Sequence, residues 1–362
     1  MASSADAGDA RAWPGPQLPG PTGPYPVGTT SLWLTDASRP DPWVAAAKAR
    51  ELMISLWYPA ARPGGRRARY MTPAESKLQL TSRGITSVPA DVLSMTRTNA
   101  ISDAPPGGSE HSLPLVLLSP GFTNPRSALT GLAEDLASHG YVVAGIDHTY
   151  ESFGTAFPDG RVTTGLARKA RRGSGFWEKV VAGRGADVSF VLSQLIGADP
   201  AWPGAGLIDP SRIAMAGHSI GGASAIAALL ADSRLRAGID MDGATYAPIP
   251  GSGLSRPFLF LGKQSNYTPG GEGSVVTWER DWPLLTGWKR WLLVAGAVHA
   301  SFTDLALLAG QLGIDIGAGL AGARSLDITR AYVRAFFDQH LRGKPQPLLE
   351  QASPHYREVT LG

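Results

Sequence analysis

The sequence predicts an α/β fold in which helices cover both faces of a mainly parallel central sheet. Two observations favour it: short apolar runs alternate along the chain with helical patterns, and the central runs are apolar on both faces of the strand. The length of 362 residues, with 43% hydrophobic and 17% charged residues, suits a globular protein. We find no internal repeat and predict a single domain over residues 27–345.

The segments outside this domain lack regular patterns. Residues 1–26 carry prolines at short intervals, which forbids regular secondary structure, so we predict an irregular arm. This arm has neither the basic nor the apolar region of a signal peptide. The protein is therefore expected to be cytoplasmic, or secreted with its signal removed, and the sequence leaves that choice open. Residues 346–362 are predicted to form a C-terminal tail.

The first elements are assigned from period-two alternation and from turn residues. Residues 28–35 and 51–58 have the pattern of strands, and Pro59 ends the second one. We expect these two strands to enter the sheet in an antiparallel arrangement. Residues 60–112 are predicted to be irregular and polar, apart from one short helix near 73–82.

The central elements are assigned from buried strands that alternate with helical patterns. Leu113–Ser119 is a continuous apolar run, typical of a strand buried on both faces. Gly140 takes the position where helices often end, after the helical pattern of 131–139. Residues 149–182 are expected to cover a pocket. The remaining strands are predicted over 141–146, 213–216, 237–241, 257–262 and 291–295, and the remaining helices over 183–196, after residue 221 and over 329–341.

The most informative motif is Gly217-His218-Ser219-Ile220-Gly221, a G-x-S-x-G match between an apolar strand and an alanine-rich helical pattern. That context is typical of a nucleophile elbow, a turn so tight that small residues must lie two positions either side of the nucleophile. The free N–H groups at the start of the helix would point at the site. Ser219 is therefore predicted to be a catalytic nucleophile, since a chance match would lack this context.

A serine hydroxyl needs a base to take its proton, and with this elbow the acid and then the base follow the serine along the chain. Three of the seven histidines lie beyond Ser219: His299, His340 and His355. His340 falls on the last predicted helix and His355 in the tail, so both are expected at the surface. His299 stands in a loop after the last predicted strand, where the base of such a site belongs. His299 is therefore the predicted base.

The acid that orients the base is chosen among the carboxylates between Ser219 and His299. Asp242 lies at the carboxyl end of a predicted strand, the edge at which open α/β sheets place their ligands. Asp240, two residues earlier, is the reserve. Residues 261–266 after the next strand offer no carboxylate. Asp242 is therefore the predicted acid.

The oxygen of a tetrahedral intermediate needs two fixed hydrogen-bond donors. We predict the backbone N–H groups of Ile220, after the nucleophile, and of Phe122, in the loop after Leu113–Ser119. The candidates for the substrate pocket are His218, which is expected beside the elbow, and Phe153, Tyr246 and Phe302. Other aromatic residues of the loops are Phe157, Phe176 and Trp177. Aromatic residues can line a pocket or fill a core. The sequence leaves both roles open for the loop aromatics Phe153, Phe157, Phe176, Trp177 and Tyr246.

Composition argues against several other classes of protein. The chain has no cysteine, which excludes disulfides, thiolate metal sites and a cysteine nucleophile. Acidic and histidine residues show no ligand-like spacing, so neither a metal nor another cofactor is predicted. The net charge is +3, but the basic clusters at 66–69 and 168–172 contain no aromatic residue, so nucleic acid is not expected as a partner. A weak association with anionic lipid surfaces is expected, and the oligomeric state is left open.

With these residues in view, the chain resembles the platelet-activating-factor acetylhydrolase-like branch of the α/β-hydrolases, in the form of a bacterial, actinobacterial-looking serine esterase or lipase. The resemblance implies the α/β-hydrolase fold and carries the catalytic roles onto Ser219, Asp242 and His299. It spans about residues 27–341 and rests on Ser-Leu-Trp-Tyr-Pro (55–59), Ser-Pro-Gly-Phe (119–122), the stretch 135–144, Gly-His-Ser-Ile-Gly-Gly-Ala (217–223), Gly-Ile-Asp-Met-Asp-Gly (238–243) and Val-His-Ala-Ser-Phe-Thr-Asp (298–304).

The resemblance implies hydrolysis of short-chain or truncated acyl esters through a Ser-His-Asp triad and an acyl-enzyme, without calcium. The alternative is a broader lipase or polyesterase that acts on plasticiser-like or polymeric esters. Relatives of that kind share the elbow but normally place an aspartate after the strand 258–262, where this chain has none. A third hypothesis, a non-catalytic binding member of the fold, is disfavoured by the complete set of serine, histidine and aspartate.

Overall fold

The computed structural model of the chain describes residues 15–170 and 173–362. Its strands are β1 (Val27–Asp36), β2 (Arg50–Pro59), β3 (Arg67–Arg69), β4 (Arg97–Ser102), β5 (Leu113–Ser119), β6 (Val142–Asp147), β7 (Gly154–Ala156), β8 (Val162–Thr164), β9 (Ile208–His218), β10 (Leu235–Met241), β11 (Phe258–Lys263), β12 (Lys289–Val294) and β13 (Val359–Leu361). Its helices are α1 (Pro73–Thr81), α2 (Thr130–Ser138), α3 (Phe176–Ile196), α4 (Ile220–Ala231), α5 (Gln264–Tyr267), α6 (Val275–Asp281), α7 (Asp304–Gln311) and α8 (Gly322–Arg342).

Eleven strands form one sheet in the order β13-β12-β11-β10-β9-β5-β6-β2-β1-β4-β3. The six central strands from β12 to β6 are parallel to one another, as their long apolar runs predict. Strand β2 pairs antiparallel with both β1 and β6, which confirms the predicted antiparallel entry to the sheet. Strands β7 and β8 form a separate hairpin within the predicted cover 149–182. The predicted α/β class is confirmed.

The two faces of the central strands belong to two separate apolar cores. On β5, Leu115 and Leu117 pack with α3 and α4, whereas Val116 and Leu118 pack with α2 and α8. Successive side chains of a strand point to opposite faces, so a continuous apolar run requires cover on both sides. Because the central strands are parallel, their carboxyl ends meet at one edge of the sheet, and the polar groups of the site lie there.

Several elements lie where the sequence predicted irregular chain. Strands β3 and β4 fall within 60–112, and β13 falls in the C-terminal tail, where it pairs antiparallel with β12. Such short edge strands have too few residues to show a clear alternation. Helix α3 begins at Phe176, whereas the sequence predicted a start near residue 183. The prediction differed because the interior residues Gly183 and Gly185 weaken the helical pattern. Helix α7 has no counterpart in the prediction, and α8 begins at residue 322 rather than 329.

The N-terminal arm packs against the domain over the part that the structure describes, residues 15–26. Leu18 is 1% exposed, and both the N–H and the hydroxyl of Thr22 donate to Asp135 Oδ1 at 2.8 Å. The rest of the predicted arm, 1–14, lies outside the described residues. Within the described ranges, no helix is both long and apolar enough to cross a membrane.

Candidate active site

Ser219 lies at the turn between β9 and α4 with a strained backbone. Its φ of 57° and ψ of −127° fall outside the regions that residues other than glycine usually adopt. The Ser219 N–H donates to the Met241 carbonyl at the end of β10 at 2.8 Å, which holds the turn against the sheet. Strain of this kind is typical of a nucleophile elbow, in which a sharp turn exposes the serine at the sheet edge.

The glycines around Ser219 are required by close contacts of the backbone. A Cβ atom on Gly217 would lie 2.1 Å from the Gly221 carbonyl carbon, and one on Gly221 would lie 2.0 Å from the Ser119 carbonyl oxygen. A Cβ atom on Gly222 would lie 2.0 Å from Asp240 Oδ1. Each of these distances is a steric overlap, so β5, β9 and α4 meet in this way only because these positions are glycine.

His299 and Asp242 are in direct contact. His299 lies beyond the end of β12 with its side chain 49% exposed, and its Nδ1 is 2.5 Å from Asp242 Oδ2. The other carboxylate oxygen, Asp242 Oδ1, accepts the Lys263 N–H at 2.8 Å, and Asp242 is only 2% exposed. With Oδ2 accepting the Nδ1 proton, the imidazole is held in the tautomer whose Nε2 is free to accept a proton.

Ser219, His299 and Asp242 line one cavity of about 200 Å³. Its aromatic wall consists of Phe122, Trp177, Tyr246 and Tyr267. The rings of Trp177 and Tyr246 stack with centroids 5.8 Å apart and planes at 26°, and Phe122 meets Trp177 edge to face at 5.3 Å. The structure therefore brings the three predicted catalytic side chains to one small cavity with aromatic walls.

Two backbone N–H groups are available at this cavity. Ile220 and Phe122 both line it, and neither N–H has an acceptor among the described residues. Ile220 is the first residue of α4, where helical N–H groups have no partner within the helix. The Gly121 carbonyl accepts the Asn124 N–H at 3.0 Å. Because a peptide group is planar and trans, the Phe122 N–H points away from that contact.

Asp240, the reserve acid, lies beneath the elbow and does not contact His299. Its Oδ1 accepts the Gly243 N–H at 2.9 Å. Complete burial raises the pKa of Asp240 well above the usual range of a carboxyl group, and the nearby charge of Asp242 adds to this increase. Asp240 is therefore harder to ionise than an exposed carboxyl group, and the His299 imidazole contacts Asp242 instead.

Of the four pocket residues predicted from the sequence, Tyr246 lines the cavity and the other three do not. Phe302 is 2% exposed in the apolar core beneath α8. The guanidinium groups of Arg83 and Arg168 each lie 4.7 Å from the Phe153 ring. Both phenylalanines fill the interior, and for Phe153 this is the alternative that the sequence left open.

His218, the fourth, packs behind His299 instead of in the cavity wall. Its Nε2 is 2.8 Å from the His299 carbonyl oxygen, and the two rings are 4.5 Å apart. Burial, together with the charge of His299, lowers the pKa of His218 well below its usual value. His218 is therefore neutral, and its Nε2–H donates to the carbonyl, which supports the loop that carries His299.

Two wall residues show what sequence reasoning could and could not find. Trp177 was one of several loop aromatics without an assigned role, and it enters the wall because α3 starts one residue before it. Tyr267 was missed. It ends α5, directly after the carboxyl end of β11, and that position next to the ligand edge of the sheet was the available signal.

Known esterases and acetylhydrolases are similar to this chain. The sequence model of the family platelet-activating factor acetylhydrolase, isoform II, matches residues 12–159 and 204–341. The solved structure of the ferulic acid esterase from Streptomyces cinnamoneus is similar with a TM-score of 0.85 and 40% identity, over 96% of this chain and 99% of that chain.

Two curated relatives are more distant. The "Probable 1-alkyl-2-acetylglycerophosphocholine esterase" of Arthroderma benhamiae is 29% identical, over 94% of this chain and 92% of its own length. The platelet-activating factor acetylhydrolase of Cavia porcellus is 26% identical, over 82% of this chain and 70% of its own length.

Fold, site and relatives together define a carboxylic ester hydrolase of the α/β-hydrolase fold. The chain belongs to the platelet-activating factor acetylhydrolase, isoform II, family. The family and the class of enzyme that the sequence motifs predicted are thereby confirmed.

Proposed function

We propose that the protein is a serine carboxylesterase whose catalytic triad is Ser219, His299 and Asp242. The observation that carries the proposal is the 2.5 Å contact between His299 Nδ1 and Asp242 Oδ2, at the cavity that Ser219 also lines. An acid orients the base, and the nucleophile stands on a strained turn at the end of a central strand.

In the proposed reaction, Ser219 Oγ attacks the ester carbonyl carbon while His299 Nε2 takes the hydroxyl proton. Asp242 stabilises the imidazolium that forms. The tetrahedral intermediate then breaks the bond to the alcohol oxygen, and His299 returns the proton to that oxygen. Water attacks the acyl-enzyme, its proton passes through His299 to Ser219, and the carboxylic acid leaves.

The N–H groups of Ile220 and Phe122 would bind the negative oxygen of both tetrahedral intermediates. Their free donors at one cavity support this assignment, as does the start of α4 directly after Ser219. The positive end of a helix dipole favours negative charge at that position. Fixed donors do not reorganise as the charge develops, and this is the source of their effect on the rate.

Short-chain or truncated acyl esters are the first substrate class that we propose. The cavity of about 200 Å³ is smaller than the ~300–1,000 Å³ of pockets for drug-sized ligands. A short acyl group fits such a space without displacing its walls. The names of the family and of the A. benhamiae relative, which both refer to acetyl groups, support this class.

Esters of planar aromatic acids are the second candidate. The observation that favours them is the aromatic wall, since a planar acid can stack on rings such as those of Trp177 and Tyr246. The S. cinnamoneus structure, at 40% identity, is named for ferulic acid.

A panel of esters separates these classes. We would measure turnover of p-nitrophenyl esters from acetate to palmitate and of methyl ferulate, with Ser219→Ala as the blank. A preference for acetate through butyrate supports short acyl substrates, and faster turnover of methyl ferulate supports aromatic acids. A plateau that reaches octanoate or beyond supports a lipase or polyesterase. Activity that does not depend on Ser219 contradicts the proposed triad.

A further inference from the structure

A second Ser-His-Asp arrangement lies behind the loop that carries Phe122. Ser119 Oγ is 2.9 Å from His148 Nε2, and His148 Nδ1 is 2.7 Å from Asp187 Oδ2. Each of these three residues is at most 2% exposed, so an ester cannot reach Ser119. The arrangement therefore acts on the protein's own structure and not as a nucleophilic site.

Arg184 connects this arrangement to the backbone of the loop. Arg184 lies on α3 and is 1% exposed. Its Nη1 donates to the Pro120 carbonyl at 2.5 Å and to Ser119 Oγ at 3.1 Å, and its Nε donates to Glu151 Oε2 at 2.8 Å. Arg184 thus holds the point at which β5 ends and the loop begins.

The hydrogen bonds behind the loop have one consistent direction. Burial, together with the charge of Arg184, lowers the pKa of His148, so its imidazole is neutral. Burial opposes ionisation of Asp187, but the charge of Arg50 and the bond from His148 lower its pKa below the usual range. Asp187 therefore accepts a hydrogen bond from the Nδ1–H of His148. The Nε2 of His148 accepts one from the Ser119 hydroxyl group, whose oxygen accepts one from Arg184.

These contacts determine the orientation of the loop that follows. The Pro120 carbonyl is bound by Arg184, and the next carbonyl, that of Gly121, is bound by the Asn124 N–H. A Cβ atom on Gly121 would lie 2.8 Å from His218 Nδ1, so the loop also packs directly on the elbow. Because peptide groups are planar, the bound Gly121 carbonyl sets the direction of the Phe122 N–H, and the bound Pro120 carbonyl fixes the peptide group directly before it.

We propose that Arg184 is a positioning residue of the esterase: by binding the Pro120 carbonyl, it holds the Phe122 N–H where the oxyanion forms. Glu151 and Ser119 bind Arg184 directly, and His148 and Asp187 in turn hold Ser119. The inference rests on the proposed function. A preorganised donor acts on the transition state more than on the bound ester, so its displacement lowers kcat more than it changes KM.

The test compares the kcat of Arg184→Met with that of the wild type, each expressed per active site. Active sites are counted by titration with a fluorophosphonate, so that any misfolded fraction drops out of the rates. We expect kcat on p-nitrophenyl butyrate to fall about 10²-fold, the loss that a misplacement of ~1 Å can cause, with KM nearly unchanged. Affinity for a trifluoromethyl ketone, which forms an oxyanion on the enzyme, should fall in parallel, whereas affinity for butyrate should not.

Arg330→Met is the matched control. Arg330 is 5% exposed and its Nε donates to the Gly131 carbonyl at 2.9 Å, but it does not line the cavity. This variant should lose stability and keep the wild-type kcat per titrated site. Ser119→Ala removes a single hydroxyl group and carries the test if Arg184→Met does not fold, with an expected fall in kcat of about tenfold.

Three outcomes would overturn the inference in distinguishable ways. If Arg184→Met and Ser119→Ala keep the kcat and the ketone affinity of the wild type, Arg184 does not position the donor, while the proposed function stands. If Arg330→Met shows the same losses, general destabilisation explains them. If the wild type itself shows no turnover that depends on Ser219, the proposed function fails and the inference fails with it.

Discussion

At the scale of single residues, Asp240 and Asp242 show how two positions at the end of β10, one on the strand and one directly after it, acquire different chemistry. Asp242 lies at the sheet edge, where its carboxylate contacts the His299 ring and the Lys263 N–H. Asp240 is completely buried beneath the elbow, and burial raises its pKa. The first carboxyl group can orient an imidazole, and the second accepts the Gly243 N–H within the core.

Replacing each aspartate with asparagine tests this difference. Asp242→Asn should lower kcat by about 10⁴-fold while the protein stays folded, because the amide no longer selects the productive tautomer of His299. Asp240→Asn should keep a kcat close to that of the wild type, because Asp240 does not contact His299 and an amide of the same shape keeps the oxygen that accepts the Gly243 N–H. Steady-state kinetics with circular dichroism as the folding check would measure both. A slow Asp240→Asn beside a normal Asp242→Asn would show that the acid is misassigned.

The role of the aromatic wall is tested at Trp177. If the enzyme accepts aromatic acids, Trp177→Leu should lower kcat/KM for methyl ferulate about 2- to 10-fold more than for p-nitrophenyl acetate, since a stacked aromatic pair contributes ~0.5–1.5 kcal/mol. Trp288→Leu is the control, because Trp288 packs on His340 outside the cavity. Equal losses on both esters would argue against a stacked aromatic acid.

At the scale of elements, α3 links the cavity to the buried charges behind the loop. Trp177 in its first turn lines the cavity, and Arg184 and Asp187, two to three turns later, hold the end of β5 and His148. Between them lies Gly183, around which a Cβ atom would meet nothing within 4 Å. The segment of α3 between these functional side chains therefore contains a glycine that makes the helix less stable than alanine would.

Gly183→Ala should stabilise the protein. Alanine in a helix interior is favoured over glycine by ~0.8–1.0 kcal/mol, and the new methyl group meets no neighbour here. Urea denaturation would measure the change in the free energy of unfolding. Gly222→Ala is the contrasting variant, since its methyl group would overlap Asp240, and it should lose both stability and turnover. Destabilisation by Gly183→Ala would contradict the helical environment described for this position.

The start of α7 provides a prediction about pH. Asp304 is fully buried and accepts the Gly131 N–H at 3.0 Å, and burial raises its pKa to about 7. Between pH 4 and pH 7 the folded protein therefore holds a proton that the unfolded chain, with an aspartate pKa of ~3.9, has lost. This group stabilises the fold fully below pH 4, and its contribution is lost as the pH rises to 7.

Asp304→Asn removes this dependence, because an amide keeps the acceptor and does not ionise. The free energy of unfolding of Asp304→Asn minus that of the wild type should increase from pH 4 to pH 7 by on the order of 4 kcal/mol. Urea denaturation at several pH values would measure the difference. A difference that stays constant across this range would contradict a proton held on Asp304.

At the scale of the whole molecule, features with a local sequence pattern or a known chain order were predictable, and contacts that have neither were not. Continuous apolar runs such as Leu113–Ser119 predicted the parallel sheet, and the Gly217–Gly221 segment predicted the turn at Ser219. Chain order and strand position also singled out Asp242 and His299, which are 57 residues apart in sequence and in contact in space. The chain order of such sites and the rule about where sheets bind ligands were together sufficient for that pair.

The network around Arg184 shows what sequence patterns cannot reveal. Ser119, His148, Arg184 and Asp187 come from β5, the end of β6 and α3, and they share no motif. Their contacts exist only because the two strands are neighbours and α3 packs across them. The cavity wall depends in the same way on where α3 begins, because that start brings Trp177 to the cavity. The two interior glycines of α3 made this start hard to predict from the sequence.

Ser219 is the proposed nucleophile, although Ser119 also belongs to a Ser-His-Asp arrangement. The most direct measurement is to label the wild type with a fluorophosphonate and locate the adduct by mass spectrometry of the intact chain and its peptides. We predict one adduct per chain, on the peptide that contains Ser219, and neither labelling nor turnover in Ser219→Ala. An adduct on Ser119, or wild-type turnover in Ser219→Ala, would contradict the claim.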